Sequence, residues 1–268
     1  MAVEPQTGYA PVNGLRMYYE IHGHGEPLVL LHGGFGMTGM FGDVLTQLAA
    51  TRQVIVADMQ AHGRTADIDR PLTLEHMGSD VAALIEHLGL QQADVMGYSM
   101  GGGAALQAAI QRPDLVRKLV VVSMPYKRDG WFAEQRAQMD QMNAAAMPFM
   151  LDTPMYKEYV AIAPNPNNFE TLLNKMGGLM RRSYDWSEEV RALPMPVLIV
   201  AGDADGLPPL HLAEFFALLG GGLRDGSWDG SGMSKSQLAI LPATTHYNAL
   251  ESPLLVPVVL RFLEQVPA

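Results

Sequence analysis

A chain of 268 residues, 48% hydrophobic and 17% charged, is long enough to bury a large core and too apolar to remain disordered. Its formal net charge of −10 repels phosphate backbones, which argues against nucleic acid as a partner. With no cysteine, disulfides, thiolate nucleophiles and cysteine-held zinc are excluded.

The first residues, Met1-Ala2-Val3-Glu4-Pro5-Gln6, lack the basic and apolar segments of an export signal. No apolar run of about 18 residues follows. The expectation is a chain that neither is exported nor spans a membrane, with a cytoplasmic location. Residues 9–12 and 15–22 read as strands around Asn13-Gly14, a dipeptide that tight hairpins favour because both positions take positive φ. Leu28-Val29-Leu30-Leu31 is an unbroken apolar run, the pattern of a strand covered on both faces. Similar runs follow at 53–57, 94–97, 119–123 and 197–201, with a weaker one at 237–241. Helical patterns at 40–50, 73–88, 100–111, 211–219 and 253–265 separate them. Strand alternating with helix predicts a mostly parallel, doubly wound α/β sheet that opens with an antiparallel hairpin.

One interval breaks the alternation. From 125 to 190 the pattern is helical and strandless, which predicts a helical cap inserted into a core made of 1–124 and 191–268. This interval is rich in methionine (Met139, Met142, Met147, Met150, Met155, Met176, Met180), a side chain suited to irregular packing or to an adaptable apolar site. The Gly-, Ser- and Asp-rich stretch 220–236 reads as a surface loop.

The sharpest chemical signal is Gly97-Tyr98-Ser99-Met100-Gly101, set between a predicted strand and a predicted helix. That context suits a nucleophile elbow, in which a serine occupies a strained turn and small neighbours prevent a clash. An acyl intermediate needs two donors for its oxyanion. Met100 N–H is one candidate. The other falls in His32-Gly33-Gly34-Phe35-Gly36, where Gly34 is favoured and Phe35 is the rival, while His32 reads as a residue that holds the loop. Serine also needs a base. Among the eight histidines, His246 follows the last predicted strand by a short loop, Pro242-Ala243-Thr244-Thr245, and would reach the same sheet edge as Ser99; His211 reads as a helix-start residue. The acid belongs after the strand at 197–201, where Asp203 and Asp205 compete with ordinary turn chemistry.

In these motifs the chain resembles the α/β-hydrolase family, in its esterase and haloperoxidase-like branch. The resemblance rests on the His32-Gly33 loop, the Ser99 elbow, the Gly202-x-x-Asp205 turn and the late His246, in that order, over about residues 8–266. It favours Asp205 over Asp203 as the acid. Departures are Ala61 and Thr65 in the loop Asp58–Thr65, where the family usually has glycine and serine. Ser99 argues against the dehalogenases and typical epoxide hydrolases of the family, which use aspartate there. The resemblance implies ester hydrolysis by Ser99, His246 and Asp205 without metal, nucleotide or flavin. Acyl transfer, perhydrolysis, thioester or carbon–carbon cleavage would use the same residues. A small-molecule receptor that keeps the triad without turnover is the reading from another class. Trp131, Met142, Met147, Phe149 and Tyr159 are expected to line an apolar pocket that prefers short, medium or aromatic acyl groups over charged or very long ones.

Overall fold

The computed structural model describes residues 4–265; residues 1–3 and 266–268, including part of the Met1–Gln6 reading and the end of the resemblance, lie outside it. β1 (Gln6–Val12) and β2 (Leu15–His22) form the expected hairpin, with Val12 opposite Leu15 and both Asn13 and Gly14 at positive φ (47° and 86°). Strand and helix then alternate through β3 (Glu26–Leu31), α1 (Gly42–Ala49), β4 (Arg52–Ala57), α2 (Leu74–His87), β5 (Ala93–Tyr98), α3 (Met100–Gln111) and β6 (Val116–Val122). Next comes a helical stretch comprising α4 (Ala133–Asp140), α5 (Met147–Met150), α6 (Pro154–Ile162), α7 (Phe169–Arg181) and α8 (Ser187–Arg191). The alternation resumes with β7 (Val197–Ala204), α9 (Pro209–Leu218), β8 (Gln237–Thr245) and α10 (Leu255–Glu264). Among the described residues no helix is long and apolar enough to cross a membrane.

The strands form one eight-stranded sheet in the order β1-β2-β4-β3-β5-β6-β7-β8, antiparallel at β1 and β2 and parallel from β4 to β8. The apolar runs are buried on both faces because helices cover both. Val44 and Leu48 of α1 and Val259 and Phe262 of α10 pack on one face with Leu28, Leu30 and Met96. Leu84 of α2, Ala104 of α3 and Phe215 of α9 pack on the other with Val29, Val95 and Val121. Parallel strands all present their C-terminal ends at one rim, so the loops after β3, β5, β6, β7 and β8 meet there.

The last strand differs from the expectation. It continues through Pro242 to Thr245, so His246 follows it directly, with no intervening loop. A proline lacks the N–H that an inner strand needs, but β8 is the edge strand of the sheet and tolerates it. β7 is longer as well, and the register between the two strands shifts between Gly202 and Ala204.

Candidate active site

Ser99 stands at the joint between β5 and α3 with φ 53° and ψ −120°. A non-glycine residue rarely holds such a conformation, and it persists only where its surroundings impose it. Here they do. A Cβ on Gly97 would lie 1.9 Å from Gly101 O, and one on Gly101 would lie 2.3 Å from Leu31 O. Both positions therefore exclude any side chain, and the strand can turn into the helix within one residue. Gly103 N donates to Ser99 O (3.1 Å) and closes the first helical turn, so the positive end of α3 faces the serine.

His246 Nε2 lies 3.1 Å from Ser99 Oγ, and His246 Nδ1 lies 2.9 Å from Asp205 Oδ1. A carboxylate only accepts, so Nδ1 carries the ring proton and Nε2 is left to accept from the serine hydroxyl. Asp205 is held from all sides: Gly206 N donates to Oδ1 (2.6 Å), while Ser123 Oγ (2.5 Å) and Gly202 N (3.4 Å) donate to Oδ2. Burial pushes this carboxyl up, yet the bonds from His246, Ser123 and Gly206 outweigh it and hold the pKa below the ordinary carboxylate value. Tyr98 Oη donates to the backbone carbonyl of His246 (2.5 Å), and the Trp131 ring meets the imidazole edge-on at 5.5 Å.

Asp203 makes no hydrogen bond to His246 among the described residues. It sits within β7 and accepts Ala243 N and Thr244 N, both at 3.1 Å, so it ties the end of β7 to the end of β8 where the sequence suggested a turn. His211 lies in the first turn of α9 and stacks on Tyr126 at 4.5 Å. Among the described residues its buried Nε2 has no hydrogen-bond partner, and burial lowers its pKa to about 4.

The loop after β3 is fixed by two buried histidines. Met59 N donates to His32 Nε2 (3.0 Å), and Phe35 N donates to His62 Nε2 (3.1 Å). Their Nδ1 atoms face Gly33 O (2.7 Å) and Gln60 O (2.8 Å), so both rings are neutral with the proton on Nδ1. Burial lowers the two pKa values to about 3 and about 4. The consequence for the loop is a correction: Phe35 N–H is already engaged by His62, which removes it from the choice of oxyanion donors. Gly34 and Met100, by contrast, line one cavity with Ser99.

That cavity, about 80 Å³, is walled by Leu74, Met124, Met139, Met176, Leu179 and Met180, with Trp131, Arg128 and Tyr184 completing it. Of the expected pocket residues Trp131 alone belongs to the wall. Phe149 is 81% exposed, Tyr159 is buried against Phe169 (5.1 Å), and Met142 and Met147 pack partly buried against the core without reaching the cavity. The reason is helical facing: Met176, Leu179 and Met180 share one face of α7 through i, i+3, i+4 spacing, and that face is the one turned to Ser99.

A family model described as the alpha/beta hydrolase fold matches residues 26–188, more than half of the chain. The chain belongs to the α/β-hydrolase family. Among its relatives is the "Putative carbamate hydrolase RutD" of Azorhizobium caulinodans, 28% identical over 227 residues that cover 78% of this chain and 84% of that protein. Among solved structures, E-2-(acetamidomethylene)succinate hydrolase aligns with a TM-score of 0.75 at 19% identity, covering 98% of this chain and all (100%) of the other. Carboxylesterase CesB of Bacillus subtilis aligns with a TM-score of 0.74 at 16% identity, covering 98% and 92%. At these identities the structural matches establish the fold.

Several residues of this α/β-hydrolase site escape sequence reading. Ser123, at the end of β6 with φ 54°, reaches Asp205 across 82 positions, and no local pattern marks it apart from its place at a strand end. His62 carried a usable signal, because its loop follows β4 as the His32 loop follows β3, and neighbouring parallel strands bring such loops together. Arg128 and Tyr184 lie in a segment whose tertiary path the sequence leaves open.

Proposed function

We propose that the chain is a serine hydrolase that cleaves small carboxylic esters through an acyl-enzyme. The observation that carries this reading is the continuous hydrogen-bond chain Ser99–His246–Asp205, with a strained serine at one end and a low-pKa carboxylate at the other. In this reading Ser99 Oγ attacks the ester carbonyl and passes its proton to His246 Nε2. Asp205 keeps the ring in the reactive tautomer and stabilises the imidazolium. The N–H groups of Gly34 and Met100 receive the oxyanion at the positive end of α3. His246 then gives its proton to the departing alcohol and takes one from the water that hydrolyses the acyl-enzyme. The helical stretch between β6 and β7 acts as the cap, since its α4 and α7 supply Met139, Met176, Leu179 and Met180 to the cavity wall. The small cavity suits short acyl groups over lipid tails.

A fluorophosphonate should label Ser99 in the native protein and fail on Ser99→Ala. A p-nitrophenyl ester panel of rising acyl length, with an aryl carbamate added because a relative is named for carbamates, then ranks the acyl groups by kcat/KM. Turnover of the carbamate in preference to every ester would replace the ester assignment.

A further inference from the structure

The cavity beside Ser99 is apolar over most of its wall, yet one cation stands in it. Arg128 opens a 3₁₀ turn, Arg128–Gly130, and its side chain is 16% exposed. Three bonds fix it: its backbone N donates to Tyr184 O (2.9 Å), Nε to Met180 O (3.1 Å) and Nη2 to Asp140 Oδ1 (2.6 Å). Nη1 makes no hydrogen bond to the protein among the described residues. Tyr184 adds a second donor to the same wall. Its Oη accepts from Trp131 Nε1 (3.2 Å), and burial raises its pKa so that the phenol keeps its proton. Holding the cap together needs only Nε and Nη2. Both residues line the cavity that holds Ser99, and the guanidinium keeps N–H groups that take no protein partner among the described residues. A guanidinium with spare N–H groups is best matched by a carboxylate, which accepts in its plane. Asp140 offsets part of the charge, but its side chain is 45% exposed and water screens it.

We infer that Arg128 and Tyr184 form a carboxylate-binding subsite in the acyl pocket, so that the preferred substrates are monoesters of short dicarboxylic acids. This rests on the serine-esterase reading above and departs from the expectation that charged acyl chains are disfavoured. The net charge of −10 repels anions at long range, but salt screens that field over about 8 Å. Contact inside the cavity therefore decides.

The test compares p-nitrophenyl glutarate with p-nitrophenyl methyl glutarate, the same chain with its charge masked, each corrected for hydrolysis in the presence of Ser99→Ala. The native protein should favour the free acid by roughly 10- to 100-fold in kcat/KM, the range for a hydrogen bond to a charged group. Arg128→Met should bring that ratio close to one, Arg128→Lys should keep part of it because the charge remains without the planar fork, and Tyr184→Phe should lower it several-fold. A native protein that cleaves the masked ester as well as the acid overturns the subsite, as does an Arg128→Met variant that slows both esters equally. The native comparison stands even where a variant fails to fold. If neither ester is cleaved above the Ser99→Ala background, the esterase reading falls and this inference with it; cleavage of the masked ester without preference removes the subsite alone.

Discussion

The rim of the sheet and the helical stretch above it hold the cavity between them by different means. At the rim the backbone does the positioning: Gly97 and Gly101 admit no side chain, Ser99 and Ser123 sit at positive φ, and strands in fixed register deliver Asp205 and His246 to Ser99. Above it, α7 is fastened by side chains. Lys175 Nζ reaches Asp67 and the carbonyls of Ile68 and Arg70 at 2.8–2.9 Å, and Arg128 ties the turn before α4 to Met180 and Asp140. Backbone register tolerates no gradual adjustment, because a one-residue slip turns every side chain to the opposite face. Side-chain fastenings can be exchanged one at a time. Under the proposed function the rim would carry the chemistry and the helices the substrate choice.

The strongest way to break that division is at the serine. Ser99→Ala should leave a folded protein, shown by an unchanged circular dichroism spectrum, with kcat reduced by about 10⁶. Near-native turnover in that variant would remove the rim from the chemistry.

Asp205→Asn should cost about 10⁴ in kcat, the loss expected when the histidine is no longer held in its reactive tautomer. Asp203→Asn, whose native carboxylate accepts from Ala243 N and Thr244 N, should cost far less; kinetics of both variants on one activated ester rank them, and the reverse order would move the acid to Asp203.

Acidification tests the sheet region in another way. His32, His62 and His211 have folded pKa values lowered by burial to about 3, 4 and 4, so below the unfolded value near 6.5 the unfolded chain binds more protons than the folded one. Asp58 opposes them, because burial raises its pKa to about 6 and the folded state holds its proton between pH 3.8 and 6. Three groups outweigh one, and stability should fall as pH drops from 6.5 towards 4. Urea midpoints at pH 7 and pH 5 read this directly; equal midpoints would mean that these rings are not buried neutral.

Ser123→Ala removes one of the bonds that hold Asp205, and kcat should drop roughly 10-fold, the scale of a lost hydrogen bond to a charged group. Its KM should stay near the native value, since Ser123 does not line the cavity. The smallest effect belongs to the exposed face of the helices: Phe149→Ala should leave kcat/KM for every ester within about twofold, as surface substitutions usually do, and a selective loss for long acyl chains would bring Phe149 back to the pocket.

The sequence by itself determined the alternation of strand and helix, the hairpin at Asn13-Gly14 and the placing of Ser99 between β5 and α3, because each depends on residues within a few positions of one another. It also put His246 at the right rim, since parallel strands end on a common side whatever their spacing in the chain. Where β8 ends was not readable, because Pro242 stops an inner strand and is tolerated at an edge, and only the order of strands in the sheet distinguishes the two. Tertiary structure alone decided that Ser123 would support Asp205 and that His62 would engage Phe35 N–H. It likewise decided that Met139, Met176 and Met180 would wall the cavity while Phe149 pointed to water. Those outcomes follow from which faces of distant segments meet. A helix pattern gives the period of its apolar residues, but the partner that each face finds is set by how the whole chain packs.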